Sequence, residues 1–430
     1  MLSPFNNRVS RRKFLRGVLA TTAFASTLKL SAGCATLSTL LPQGNSTYRV
    51  LCCDGGGLKG LITAIILERL EAKIARDFPD RPLIKDHFNL FAGTSTGSII
   101  ACGLAKGITA TEIRKFYVEH SQVIFPNFAA LLNIKADQLL STISEKANEI
   151  RDQLTHSGIR FFQGIAKRLS KFQISLPALE EESKNLEQIL QEVFGLEESF
   201  SSLNKSVVVL AYDTSNRKPA LLKNTNPQPQ ELDSRTIAIW EICRASSAVP
   251  GIFPGYFLED PALIESIEKS GYGKVADYEG RSGIPLIDGG VVTNNPSLWA
   301  IQEAHELSQK PILLASFGTG QKRDSVSPQE TKEWGLIDWF NPFNSLPLLD
   351  VMFSASADTV NATARQLLDD ANLGQYLRYQ PELDQDSVRN ISTFVSSPEN
   401  LKKMEEAARL YLEEQNGDRL LEELVQKLKS

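Results

Sequence analysis

From Tyr48 onward, short apolar runs alternate with segments whose apolar residues recur every three or four positions. The short runs are Tyr48–Cys53, His87–Ala92, Val207–Ala211, Ile284–Ile287 and Pro311–Ala315, and each reads as a buried strand. Leu58–Ala75 places Leu61, Ile65, Ile66, Leu70 and Ile74 on one helical face. Gly97–Lys106 predicts a second helix, Ile237–Ser247 a helix stopped before Pro250, and Ala220–Leu222 a hairpin partner for Val207–Ala211. Alternating strands and helices predict a largely parallel sheet covered on both faces. Lys135–Ser183 is helical in pattern and lacks the turn residues of a sheet. Within it, Ile159–Leu176 interleaves Phe161, Phe162, Ile165 and Phe172 with Arg160, Lys167, Arg168 and Lys171. A core-facing helix with a solvated basic face is the preferred reading; a membrane-surface helix is the other. The last hundred residues read as helical, with Leu401–Leu428 rich in Glu and Lys.

The N-terminus follows a different logic. Ser10-Arg11-Arg12-Lys13-Phe14-Leu15-Arg16 has the form of a twin-arginine export signal, and Val18–Leu28 supplies a mild apolar stretch. Leu30-Ser31-Ala32-Gly33-Cys34 resembles a lipoprotein cleavage site, with its leucine one place further upstream than that pattern has it. These signals predict export, to the periplasm or to a membrane anchor through Cys34. The alternative is a basic tail with a chance arginine pair on a cytoplasmic protein. The organisation is then a signal over residues 1–34, a catalytic domain over 47–325 with a helical insertion at about 135–183, and a helical region over 326–430.

Composition narrows the field only slightly. Residues are 42% hydrophobic and 23% charged, as in ordinary globular chains, and the net charge of −5 argues against a nucleic-acid partner. No apolar run reaches the ~18 residues of a spanning helix, so no transmembrane helix is expected in the mature chain. Cys52, Cys53, Cys102 and Cys243 all sit in apolar patterns and read as buried thiols. With no Cys-x-x-Cys pair and no clustered histidine, neither a metal nor any other cofactor is expected.

Three motifs carry the candidate chemistry, each directly after a predicted strand. They are Asp54-Gly55-Gly56-Gly57-Leu58-Lys59-Gly60, Gly93-Thr94-Ser95-Thr96-Gly97 and Asp288-Gly289-Gly290. In an open α/β sheet, strand ends of this kind meet along one edge, where ligands bind. Gly93 and Gly97 permit a sharp strand-to-helix turn that exposes Ser95 as a nucleophile. The glycine loop offers backbone N–H groups to the oxyanion that attack on an ester creates. Its Gly-x-Gly-x-x-Gly spacing also fits a dinucleotide fingerprint, and hence an oxidoreductase. That alternative lacks an acidic residue ~20 positions on and leaves the other two motifs idle. His87, His120, His156 and His305 sit in structural or surface contexts, whereas Asp288 ends an apolar strand and precedes two glycines. A Ser-Asp-His esterase of another fold is the remaining catalytic alternative; a catalytically silent lipid binder would not need both Ser95 and Asp288.

In this order the motifs resemble the patatin-like phospholipase family. Val123-Ile124-Phe125-Pro126, Val207–Asp213, Arg244-Ala245-Ser246-Ser247-Ala248-Val249-Pro250 and Tyr376-Leu377-Arg378-Tyr379 add to the resemblance. It covers Tyr48–Phe317 well and the C-terminal helices loosely. It implies a three-layer α/β/α sandwich and a calcium-independent acyl hydrolase of phospholipase A or lysophospholipase type, acting on lipid at a membrane surface. Ser95 is then the nucleophile, Asp288 the base and Gly55–Gly57 the oxyanion loop. Lys59 stands where many members have arginine.

Replacing Arg11 and Arg12 together by lysine is expected to hold the protein in the cytoplasmic fraction. Unchanged fractionation would exclude export by this route, and the intact mass of the mature protein reports whether Cys34 is acylated.

Overall fold

The computed structural model describes residues 46–125, 176–322, 326–334, 339, 347–371 and 373–429. Arg11, Arg12 and Cys34 lie outside these residues, as does the basic and aromatic stretch Ile159–Leu176 except for its last residue.

The chain begins with β1 (Tyr48–Cys53), α1 (Gly60–Asp77), β2 (Leu90–Thr94), α2 (Thr96–Lys106) and α3 (Ala110–Ile124). It continues through α4 (Leu176–Phe194), β3 (Ser206–Asp213), β4 (Lys218–Lys223), α5 (Ile239–Ser246), β5 (Tyr256–Leu258) and α6 (Pro261–Ser270). Then come β6 (Ala276–Tyr278), β7 (Arg281–Asp288), α7 (Ser297–Leu307), β8 (Ile312–Phe317) and α8 (Pro328–Glu333). The last elements are α9 (Pro347–Arg365), β9 (Gly374–Tyr379), α10 (Pro398–Glu413) and α11 (Gly417–Leu428).

Nine strands among the described residues form one sheet in the order β5-β7-β3-β2-β1-β8-β9, with β4 paired to β3 and β6 to β7. The centre, β3 to β9, is parallel as expected, while β4, β5, β6 and β7 join antiparallel. Period-two alternation divides the core. Leu51 and Cys53 face a large apolar cluster with α1, α2 and α10, whereas Val50 and Cys52 face a second cluster with α7 and the end of α9. These are the three layers of an α/β/α sandwich.

Several boundaries differ from the sequence reading. β2 starts at Leu90, because His87 and Phe88 belong to the loop after a 3₁₀ turn over Ile84–Asp86. Phe88 is buried from that loop, and so mimics a strand residue in the sequence. Residues 176–183, expected in an insertion, open α4. The Leu401–Leu428 stretch is two helices, separated at Asn416, which adopts a left-handed φ of 64°. The C-terminal region is also more than helical, since β9 pairs with β8 along Ile312–Phe317 and completes the sheet.

That last strand delivers a buried cation. Arg378 on β9 donates from Nη1 to Asp54 Oδ1 at 2.8 Å and from Nη2 to Asp54 Oδ2 at 2.5 Å. Its Nη1 also reaches Ser316 Oγ at 2.8 Å, and its Nη2 reaches Gln380 Oε1 at 3.1 Å. Asp54 is 1% exposed, so this forked pair fixes the first residue after β1 without water. Removing one partner of such a pair strands a buried charge, at a cost of about 3–5 kcal/mol. Arg378→Ala is expected to lose about that much in denaturant unfolding; a loss below ~1 kcal/mol would show that the pair does not hold the loop.

Candidate active site

Ser95 occupies the turn between β2 and α2 with φ 55° and ψ −129°, a conformation that costs a non-glycine residue on the order of 1–3 kcal/mol. Close packing enforces the turn. A Cβ on Gly93 would lie 2.2 Å from the carbonyl oxygen of Gly97, and one on Gly97 would lie 2.2 Å from that of Cys53. Ser95 holds the N-cap position of α2, yet its side chain makes no capping hydrogen bond. The hydroxyl is therefore left for other work. The backbone is tied down instead: Ser95 donates its N–H to Ser246 Oγ at 2.8 Å, and its carbonyl accepts from Ser98 Oγ at 2.6 Å.

Asp288 arrives from the other direction. Thr94, the last residue of β2, stands opposite Leu210 of β3, and Asp288, the last of β7, stands opposite Ala211. β4 occupies the far edge of β3 along 208–213, so β2 and β7 share the near edge and meet end to end. β7 is thus one of the antiparallel strands of a sheet expected to be largely parallel. The meeting nevertheless brings Ser95 and Asp288 together. Asp288 is fully buried. Its Oδ1 accepts the Gly290 N–H at 2.7 Å, whereas Oδ2 has no partner of good hydrogen-bond geometry among the described residues. Burial pushes the carboxyl up to about 7, against the opposing pull of the Ser95 side chain and the Gly290 N–H. The Ser95 side chain is thus a neighbour that favours the ionised form of this carboxyl.

The glycine loop lies on the third side. Gly55 donates its N–H to the carbonyl of Asn294 at 3.0 Å, so this donor is already committed. The Gly55 carbonyl accepts from Asn294 Nδ2 at 3.1 Å and from Thr319 Oγ1 at 3.0 Å. The N–H groups of Gly56 and Gly57 take no partner among the described residues. Gly57 has φ 54°, which suits glycine. A Cβ at Gly55, Gly56 or Gly57 would run into Asn294, Thr319 or Thr393 respectively. These close approaches are to the protein's own groups. Gly60 opens α1, and Lys59 stands 3.8 Å from Asp350 of α9. Gly289 and Gly290 form the 3₁₀ turn after β7.

A small, largely apolar cleft opens at Ser95 and Gly57, walled by Ile99, Phe116, Phe125 and Phe253. Ser247 also lines it, with a buried hydroxyl that makes no hydrogen bond among the described residues. A second small cleft of mixed lining lies at Gly55, Gly56 and Lys59, with Asp350 and Asp358 in its wall. Phe394 borders both. None of the described histidines lines either cleft. His87 is buried with Nε2 2.8 Å from the Arg81 carbonyl, His120 packs on Phe116, and His305 is exposed on α7. His156 lies outside the described residues.

Sequence reasoning missed Asn294 and Thr319 as supports of the loop. Their signals were faint: each follows a strand-end glycine motif, Asp288-Gly289-Gly290 in one case and the strand before Gly318 in the other.

Residues 51–301 match the family model for patatin-like phospholipase. The chain belongs to the patatin-like phospholipase family. Among curated relatives, patatin-like protein 2 of Arabidopsis thaliana is 28% identical over 368 residues, covering 79% of this chain and 77% of its own. Patatin-T5 of Solanum tuberosum is 26% identical, covering 86% and 87%. Among solved structures, VipD from Legionella pneumophila aligns at 15% identity with a TM-score of 0.39, covering 89% of this chain and 68% of that one. Human GIVD cytosolic phospholipase A2 with methyl gamma-linolenyl fluorophosphonate aligns at 11% identity and a TM-score of 0.39, covering 92% and 62%.

In this patatin-like chain the buried carboxyl leaves a thermodynamic signature. Asp288 titrates near 7 in the fold against an ordinary 3.8, so the folded state holds the proton more tightly. Its stabilising contribution is complete below about pH 4 and is lost as pH rises through about 7. Wild-type melting temperature should therefore fall across that window relative to Asp288→Asn, with the two curves parallel above about pH 8. Parallel curves throughout the window would contradict the raised pKa.

Proposed function

We propose that this protein is a serine acyl hydrolase that cleaves fatty-acyl esters of phospholipids or related lipids, with Ser95 as nucleophile and Asp288 as proton acceptor. The observation that carries the reading is the end-to-end meeting of β2 and β7, which sets an uncapped, strained serine beside a buried carboxylate that pairs with no cation among the described residues. Ser95 Oγ attacks the ester carbonyl as its proton passes to Asp288, and the carbonyl electrons move onto oxygen. The N–H groups of Gly56 and Gly57, which take no partner among the described residues, receive that oxyanion. Collapse expels the alcohol, which takes the proton from Asp288 and leaves an acyl-enzyme. Water then attacks the acyl group, again giving its proton to Asp288. The second collapse returns that proton to Ser95 and releases the fatty acid.

Every role is filled by a protein group, so the activity is proposed to be calcium-independent. The apolar lining beside Ser95 favours a fatty-acyl group over a polar one. Membership of a phospholipase family supports lipid as the substrate class, of the phospholipase A or lysophospholipase type. The twin-arginine pattern and Cys34 support action at a membrane surface after export.

Ser95→Ala and Asp288→Asn are each expected to lower ester hydrolysis by on the order of 10³-fold or more while remaining folded. The wild-type kcat/KM should rise with pH to a plateau above about 7, since ionised Asp288 is the base. Single alanine variants of His87, His120, His156 and His305 should lose less than about tenfold. A folded His variant as inactive as Ser95→Ala would replace the dyad by a Ser-Asp-His arrangement.

A further inference from the structure

The segment Ser246–Ala248, at the end of α5 and the turn beyond it, touches both halves of the proposed dyad through its own polar atoms. Ser246 Oγ accepts the Ser95 N–H at 2.8 Å and donates to the Leu210 carbonyl at 2.5 Å. Leu210 is the β3 residue that faces Thr94, so this hydroxyl is bonded beside the junction where β2 ends. Two residues on, the Ala248 carbonyl accepts the Asp288 N–H at 3.0 Å. Ser246 is fully buried, and no water is needed to complete its hydrogen bonds.

We infer that Ser246–Ala248 acts as a spacer that sets the separation of Ser95 from Asp288, with Ser246 as a positioning residue for the nucleophile. Sheet pairing places β2 and β7 end to end, but it does not fix Ser95, which lies one residue beyond the last paired position. Ser95 also holds a backbone conformation disfavoured for serine. An acceptor on its N–H is what keeps the peptide in that orientation. Because the same short turn receives the Asp288 N–H, a shift of α5 moves both anchors together and preserves their spacing. Ser246 touches no reacting atom, so its effect passes through Ser95.

The inference rests on the proposed function, and the test separates the two. Ser246→Ala removes both hydrogen bonds with little change in volume, and Ser246→Thr restores a hydroxyl. Ser246→Cys keeps the volume and weakens both bonds, and it decides the matter if the alanine protein does not fold. With a soluble ester, Ser246→Ala should lower kcat by about 10–100-fold and change KM by less than about threefold. The rate at which a fluorophosphonate labels Ser95 should fall in parallel, and Ser246→Thr should recover most of both. A folded Ser246→Ala or Ser246→Cys protein with wild-type kcat and labelling rate overturns the inference. So does a threonine variant as impaired as alanine with an equally lowered melting temperature, which marks a packing role. Ser95→Ala is measured alongside: if it keeps wild-type activity, the proposed function has failed, whatever Ser246 does.

Discussion

A strand has only two hydrogen-bonding edges, and β3 commits one of them to β4 along 208–213. The other is divided between β2, which ends opposite Leu210, and β7, which ends opposite Ala211. Two strands running toward each other on one edge must stop where they meet, and the residues at that stop are forced into proximity. Thr94 and Asp288 are the final paired residues, so Ser95 turns away from the sheet at the point where Asp288 enters. The strain at Ser95, the orphaned Oδ2 of Asp288 and the clamp from Ser246 all follow from that collision.

Two fully buried aspartates flank this region, and they are treated in opposite ways. Asp54 faces the forked guanidinium of Arg378, and both of its oxygens are satisfied. Asp288 has no cation beside it among the described residues, where Gly290 holds one oxygen and the other takes no partner. Burial alone raises the proton affinity of either carboxyl, but only for Asp54 does a paired charge oppose it strongly. The first arrangement makes a fixed post for the glycine loop. The second makes a group able to take up and give back a proton near neutral pH.

Much of this was legible in the residues. Gly93-Thr94-Ser95-Thr96-Gly97 announces its turn because both glycines are needed for contacts within a few residues of one another or with the adjacent strand. Cys52 and Cys53 face opposite layers, as period two requires. The direction of β7 was not legible, since a four-residue apolar run reads the same whichever way its neighbours point. Gly55 was read with Gly56 and Gly57 as a donor because all three lack side chains. Its N–H is committed to Asn294, more than two hundred residues away, and no local pattern encodes that bond. β9 was hidden for a similar reason: Tyr376-Leu377-Arg378-Tyr379 sits among helices, and its strand character comes from the bare edge of β8.

The pairing of Asp54 with Arg378 joins residues 324 positions apart, which bears on how the chain is made. During synthesis, β1, β2, β3 and β8 all leave the ribosome before β9 does. Until then β8 presents an open, apolar parallel edge, and Asp54 has no counter-ion for its place under the glycine loop. Non-local pairing of this kind is slow and leaves nascent sheets prone to association. The glycine loop therefore reaches its paired shape late, only once Arg378 has emerged to meet Asp54.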